Sequence, residues 1–252
     1  MFAQERSNII KKIVRKHRRM TFAELQQQVK VSPATLRRDL AELELAGDVI
    51  RVHGGVLDPC YVRTEVSFDE RVVLNSPAKK AIAAAAALLV PSAATVLVDA
   101  GTTCLELGKA LLGRKDVRLI THSVALVSAA FQGEASVLCI GGELRKVSGA
   151  LIGGAALSAL NLIHADVAFI GASGLDPVQG CSTTELFEAQ MKKDMLSRAT
   201  RKVLLADHTK WEKPSAIHFA NWDGITDWIT DKMPEPEQAK QLCAGGLKIH
   251  KV

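Results

Sequence analysis

From about Ser76 onward, short β-branched runs alternate with alanine- and leucine-rich helical patterns, and no other feature restricts the fold so tightly. The runs are "ATVLV" (94–98), "VRLI" (117–120), "ASVLCI" (135–140), "DVAFI" (166–170), "KVLLA" (202–206), "ITDWIT" (225–230) and "LKIHKV" (247–252). Strands that read as continuous apolar runs are buried on both faces. Alternation of such strands with helices predicts an α/β, mostly parallel sheet covered on both sides. The apolar stretch "AIAAAAALLV" (81–90) is too short for a bilayer span and fits a packed helix. The charged N-terminus lacks the early apolar run of a signal peptide, so a cytoplasmic protein with no membrane partner is expected.

Charge is distributed unevenly. Residues 1–57 hold 11 Lys and Arg against 6 Asp and Glu, whereas the rest of the chain holds 21 of each. A basic module on a neutral body points to a nucleic-acid or other anionic partner for that module alone. With 48% hydrophobic residues, the chain is too apolar to be disordered. The five cysteines (Cys60, Cys104, Cys139, Cys181, Cys243) form no C-x-x-C pair and have no histidine at ligand spacing. Reduced thiols and no metal are therefore expected.

Within the basic module, Ile9, Ile10, Ile13 and Val14 recur at helical spacing inside residues 5–17. Thr21 and Glu24 fit a capping box that starts a second helix. In "VSPATLRRDLAEL" (31–43), Ser32 can cap a third helix and Pro33 suits its first position. Leu36, Leu40 and Leu43 make its buried stripe, which would turn Thr35, Arg38 and Asp39 outward with Arg37 at the flank. Gly47 ends the helix. "DVIRVHGGVL" then reads as a β-hairpin wing. Two helices joined by a tight turn and followed by a wing have the spacing of a winged helix-turn-helix. Arg37 or Arg38 could reach guanine O6 and N7, Ser32 could hold a phosphate, and Arg51 or His53 could lie along the backbone or minor groove.

Ligands of open parallel sheets bind beyond the carboxyl ends of the strands. Five successive run ends carry small, hydroxyl or charged residues: "DAGTT" (99–103), "THS" (121–123), "GGELR" (141–145), "GASG" (171–174) and "DHTK" (207–210). Gly101 permits a tight turn, and Thr102 and Thr103 stand at a helix start, a combination that suits phosphate. Arg145 and Lys210 can add positive charge. Asp99 either accepts sugar hydroxyls or organises its loop. "CSTTELFEAQMKKDML" (181–196) reads as a loop entering a helix, with Ser182, Thr183 and Thr184 as possible caps. Glu185, Glu188 and Lys192 share a helix face there, either as a site lining or as a solvated i, i+4 pair. Cys104 is expected to be a packed thiol.

In order and spacing these motifs resemble the DeoR family of bacterial transcriptional regulators, especially its glycerol-3-phosphate-repressor-like branch. The resemblance spans the chain: "VSPATLRRDLAELELAGDVIRVHGG", "DAGTT", "THS", "GGELR", "FIGASG", "STTELFEAQMKK", "LLADHTKW" and "ITD…GLKIHKV". Where the family has Thr-Asn-Ser, this chain has Thr121-His122-Ser123. The resemblance implies a winged helix-turn-helix domain (1–57), a linker (58–75) that turns helical near Phe68–Val73, and an effector domain (76–252). That last domain would be Rossmann-like and similar to ribose-5-phosphate isomerase. It implies a repressor of carbohydrate-metabolism genes that binds a double-stranded DNA operator as a homodimer or homotetramer. It also implies a phosphorylated sugar or related metabolite as effector, and no cofactor. The effector would contact Asp99, Gly101, Thr102, Thr103, Thr121, Ser123, Gly141, Gly142, Arg145, Gly171, Glu185 and Lys210. The rival reading is a sugar-phosphate isomerase or deaminase fused to a DNA-binding head, which would need a carboxylate base. Glu185, Glu188 and Asp207 are the candidates, and no tight acidic constellation beside a Gly-rich lid supports it.

Overall fold

The computed structural model describes residues 3–17, 19–52, 55–57 and 66–252. Backbone contacts divide the chain into two units, Met1–Val66 and Ser67–Val252.

The first unit runs α1 (Ala3–His17), β1 (Arg19–Thr21), α2 (Phe22–Val29), α3 (Pro33–Leu45), β2 (Ile50–Val52) and β3 (Gly55–Leu57). The Thr21–Glu24 capping box starts α2. Lys30 ends it in the left-handed region (φ 56°), and its N–H returns to the Gln26 carbonyl at 2.8 Å. The Ser32 hydroxyl then accepts from the Thr35 N–H at 3.2 Å, and Pro33 opens α3. Gly47 (φ 72°) reverses the chain after α3, and Asp48 N–H bonds the Leu43 carbonyl at 2.9 Å. Ile10, Val14, Leu25, Leu36, Leu40, Leu43 and Val56 form the core of this unit. The wing is a three-stranded antiparallel sheet, β1-β3-β2, whose short β1 carries no periodic pattern. A Cβ at Gly55 would come within 2.5 Å of the Met20 carbonyl oxygen, so the β1–β3 contact demands glycine. His53 and Gly54 lie outside the described residues.

One expectation for α3 is corrected. Asp39 does not face solvent; it is 1% exposed and takes a two-pronged ion pair from Arg6 of α1, with Nη2 at 2.8 Å and Nε closer still. Positions 36, 39, 40 and 43 are the i, i+3, i+4, i+7 set of one helical stripe, so Asp39 shares the leucine face. The Arg6 guanidinium makes its burial tolerable.

The second unit runs α4 (Phe68–Val73), α5 (Ser76–Ala87), β4 (Thr95–Val98), α6 (Thr102–Leu111), β5 (Arg118–Thr121), α7 (Val124–Ala130), β6 (Ser136–Cys139), β7 (Glu143–Arg145) and β8 (Ala150–Ile152). It continues through α8 (Gly154–Leu160), β9 (Ala165–Gly171), β10 (Gly174–Asp176), β11 (Gly180–Thr183), α9 (Leu186–Ser197), β12 (Ala199–Leu205), β13 (Ile217–Ala220), β14 (Asp227–Thr230), α10 (Pro236–Ala244) and β15 (Lys248–Lys251). The seven apolar runs are the seven strands of one sheet, ordered β15-β14-β12-β9-β4-β5-β6, and every pair is parallel. The chain builds outward from β4 to β6, then crosses back and builds the other way from β9. The strand order reverses between β4 and β9, the position where doubly wound sheets open a ligand crevice.

Side-chain alternation sends Val96, Val98, Phe169, Val203 and Leu205 to one face, where α5, α6 and α7 cover them. Leu97, Ala168, Ile170, Leu204 and Trp228 go to the other, under α8, α9 and α10. Trp211 stacks on Trp228 with centroids 5.2 Å apart, and Trp222 lies 5.9 and 5.6 Å from those two.

Two small antiparallel pieces, the hairpin β7–β8 and the sheet β10-β11-β13, were not expected. Residues 180–183 are strand rather than loop, and Ser182 and Thr183 are buried. The cap of α9 is therefore Glu185, whose carboxylate accepts from the Glu188 N–H at 2.8 Å, and not Ser182, Thr183 or Thr184. Helix α4 opens with a Ser67–Glu70 capping box, and Phe68 N–H donates to the Val147 carbonyl at 2.8 Å. The Phe68 ring packs against the core under α5–α7. Residues 68–73 are thus a helix docked within the second unit. Among the described residues, no helix is long and apolar enough to cross a membrane.

Candidate functional site

The exposed face of α3 carries Ser32, Arg37 and Arg38, with Thr35 half-buried. Neither arginine forms an ion pair with a described residue; Arg37 lies 5.5 Å over the Phe22 ring. Two guanidinium groups are thus free to meet an anion or a base edge. The Ser32 hydroxyl is occupied as the helix cap and sits 2.8 Å from the Thr35 hydroxyl. Arg51 on the wing is exposed and 3.6 Å from Glu44.

In the second unit, the strand-order reversal brings the ends of β4 and β9 together. Asp99, 1% exposed, is the hub. Its Oδ2 accepts from the Gly171 N–H at 2.9 Å and from the Lys192 ammonium at 2.6 Å, and Oδ1 lies 3.5 Å from His122 Nε2. Lys192 also donates to the Gly171 carbonyl at 3.1 Å. Burial alone would raise the Asp99 pKa, but Lys192, His122 and the Gly171 N–H hold it below the usual carboxylate range. Burial would lower Lys192; Asp99 and Glu188 more than offset it, and the ammonium titrates above its ordinary value. For His122 burial wins, reinforced by Lys192, and its pKa falls. The ring is neutral at pH 7, and its buried Nδ1 meets no partner among the described residues.

Gly101 caps α6 without any side-chain oxygen, which leaves the first N–H groups of that helix uncapped. A Cβ at Gly101 would meet Asp99 Oδ2 at 3.3 Å and the Gly171 Cα at 3.7 Å, so the crossing of the two strand ends is tight. Thr102 and Thr103 follow, each 8% exposed. Uncapped N–H groups at a helix start beside small residues form a seat for an anion.

The other expected residues divide into two groups. Arg145 approaches Glu188 at 3.1 Å, and Thr183 lies 3.5 Å from the other Glu188 oxygen. Lys210 closes a 3-10 turn and is half-buried. These surround the strand ends. Thr121, by contrast, is fully buried; its hydroxyl donates to the Val98 carbonyl at 2.7 Å and accepts from the Ser123 N–H at 3.1 Å. Ser123 caps α7. Gly142 (φ 142°) is held by close packing, since a Cβ there would stand 2.5 Å from the Ile152 carbonyl oxygen. Gly141 is exposed. Cys104 is a buried thiol whose pKa is raised well above normal by burial and by Asp99.

The three carboxylates a proton-transfer enzyme could use are each committed. Glu185 caps α9, Glu188 pairs with Arg145, and Asp207 accepts from Thr209 and Asn75. Lys192, open in the sequence between a site lining and a solvated pair with Glu188, is buried at the hub and held by Asp99, 93 positions away. The buried lysine, three residues past an alanine and followed by another lysine, carried no local signal of that distant contact.

Residues 6–58 match the DeoR-like helix-turn-helix domain, and residues 74–232 match the DeoR C terminal sensor domain. An uncharacterized HTH-type transcriptional regulator, YulB of Bacillus subtilis, is 32% identical over 99% of this chain and 96% of its own. The HTH-type transcriptional regulator GlpR of Haloferax volcanii is 30% identical over 99% and 98%. Among solved structures, ribose 5-phosphate isomerase A from Methanocaldococcus jannaschii aligns with a TM-score of 0.42 at 20% identity, covering 55% of this chain and 56% of that one.

Proposed function

The chain belongs to the DeoR family of helix-turn-helix transcriptional regulators, and on that premise we propose a repressor of carbohydrate-metabolism genes released or retained on DNA by a phosphorylated sugar or related metabolite. The observation that carries the effector reading is the uncapped start of α6 at the β4–β9 reversal, beside buried charged groups. A sugar phosphate places a dianion and several hydroxyls there. The N–H groups of Thr102 and Thr103 and their hydroxyls take the anion. Arg145, Glu188 and Thr183 offer donors and acceptors for hydroxyls.

On DNA, α3 enters the major groove. Arg38, with Arg37 beside it, contacts base edges, and Ser32, Thr35 and Arg51 lie against the phosphates. Two copies of the chain would place their α3 helices about 34 Å apart on an operator with two half-sites, so a homodimer or a homotetramer is the working assembly. The effector acts by binding one arrangement of the assembly more tightly than another, a coupling on the order of 1–3 kcal/mol.

A thermal-shift panel of phosphorylated and unphosphorylated sugars tests the effector class, because a ligand of the native state raises its melting temperature. Phosphorylated members should raise it, and Thr102→Val with Thr103→Val should abolish the rise while DNA binding persists. A panel in which the free sugars act and the phosphates do not would overturn the reading.

A further inference from the structure

The main sheet has two edges, and they are finished differently. At one lies β15, Lys-Ile-His-Lys, with an exposed lysine at each end. Antiparallel pairing of β15 with its own copy would set Lys248 opposite Lys251, and like charges directly opposite destabilise a strand pair. Charged edges of this kind keep a sheet from growing. At the other edge lies β6, Ser-Val-Leu-Cys. It has no charge, no proline and no bulge in its register with β5. Leu138 is 49% exposed there, and Ser136 and Cys139 are exposed too.

The pairing with β5 fixes which backbone groups are left over. The Ile140 N–H donates to the Thr121 carbonyl at 2.8 Å, so positions 138 and 140 turn their backbone groups toward β5. Strand alternation turns those of Val137 and Cys139 outward, where no strand among the described residues meets them. Unpaired edge groups are a template for another strand. A stable interface buries about 800 Å² per partner, more than a four-residue strand supplies. The margin of β6 extends it: five of the twelve large apolar side chains that the second unit exposes are Val124, Phe131, Leu138, Leu144 and Val147. Helix α7, with Val124 at its start and Phe131 just past its end, packs on β6.

We infer that β6 is an interface between two copies of this chain, in which the strands pair antiparallel about a two-fold axis at Leu138. This interface is one surface of the assembly proposed above and depends on that assembly. Val137 exchanges both backbone hydrogen bonds with Cys139 of the copy, and Cys139 with Val137. Leu138 meets its own copy as a non-hydrogen-bonded pair, with Cα atoms about 4.5 Å apart. A two-fold at Val137 would oppose Cys139 to Ala135, whose N–H already donates to the Leu112 carbonyl at 2.9 Å. One at Cys139 would oppose Val137 to Gly141, beyond the strand. Two-fold pairing of the chain suits an operator with two half-sites.

The test uses the full chain. Sedimentation should give wild type as a dimer or a multiple of one. Leu138→Lys puts two ammonium groups at the axis and should weaken self-association on the order of a hundred-fold, halving the mass with the circular dichroism spectrum unchanged. Leu138→Cys, in a Cys139→Ser background, should cross-link to a dimer under diamide, because a separation of about 4.5 Å lies within the Cα range of a disulfide. Ser136→Cys in the same background should not, since the two copies of that position stand four residues apart in register. Amide exchange at Val137 and Cys139 should be slow in the assembled wild type and fast in Leu138→Lys. A Leu138→Lys chain of wild-type mass, or a Leu138→Cys chain that cross-links no faster than Ser136→Cys, overturns the inference and leaves the assembly standing on another surface. Exchange that stays slow in Leu138→Lys means that a segment of the same chain covers the edge, and overturns it too. A monomeric wild type overturns both the interface and the assembly. Should Leu138→Lys fail to fold, the two cysteine variants decide the matter.

Discussion

The two units treat charge in opposite ways. Among the described residues, the DNA-binding unit buries the Arg6–Asp39 ion pair and keeps Arg37 and Arg38 in solvent. The sensor unit draws its charges inside: Asp99 with Lys192, and Glu188 with Arg145. The contrast follows from the size of the partner. A duplex is a large polyanion that desolvates a flat face as it docks, so its reader can stay exposed and mobile. A metabolite has few atoms, and the charges that hold it must be prepositioned where water does not compete.

The most severe way to break the contrast is to unpair the sensor hub. Lys192→Met strands the Asp99 carboxylate in the core and should destabilise the sensor unit by about 3–5 kcal/mol. Calorimetry should show that unit's transition fall while the DNA-binding unit's transition stays put; a shared fall would mean the two units do not melt independently. Next in size is Arg38→Ala. Operator affinity should drop by about 1–3 kcal/mol, roughly five- to 150-fold, with stability changed by less than about 0.5 kcal/mol. An unaltered gel shift would remove α3 from the interface. Ser32→Ala should cost about 1 kcal/mol, confined to the first unit. A chemical melt with no displacement of the first unit would show that the Ser32 cap is dispensable.

The subtlest prediction concerns acid. The His122 pKa is lowered by burial, so the unfolded chain takes up a proton there more readily than the folded one. Its contribution is intact above the ordinary value of 6.5 and is lost as pH falls below it. Asp99, also lowered, keeps its contribution above its ordinary 3.8 and yields it only in stronger acid. The sensor unit should therefore begin to weaken below about pH 6.5. His122→Asn should flatten that first slope and leave the later Asp99-dependent loss. Identical pH profiles for the two proteins would count against a buried neutral ring.

The sequence pattern captured strands and helices better than it captured neighbours. All seven strands of the main sheet were visible because burial on both faces writes a continuous apolar run. Helix α3 was visible through Ser32, Pro33 and its leucines. Strand β1, the β7–β8 hairpin and the β10-β11-β13 sheet were not. They are three or four residues long, rich in Gly and polar residues, and show no alternation. The strand order was equally out of reach, because no local pattern says that β9 returns to β4. That one pairing makes Asp99, Gly101 and Gly171 a single place, over a separation of 72 positions between Asp99 and Gly171. Asp39 misled for a related reason: an acid on an apolar stripe looks exposed until a cation 33 positions away is seen to meet it. Thr121 and Ser123 looked like ligand groups because a hydroxyl that knots a loop and one that holds a ligand are the same residue type.

All three tryptophans of the chain lie in the sensor unit, within 6 Å of one another, and the DNA-binding unit contains none. Trp211 directly follows Lys210, and the Trp228 indole donates to the Ala206 carbonyl at 3.0 Å, one residue before Asp207. The tryptophan emission of the unmodified chain therefore comes from one corner of one unit, beside the turn that bears Lys210. Metabolite arrival can be followed optically without a label, and the helix-turn-helix contributes no tryptophan signal to obscure it.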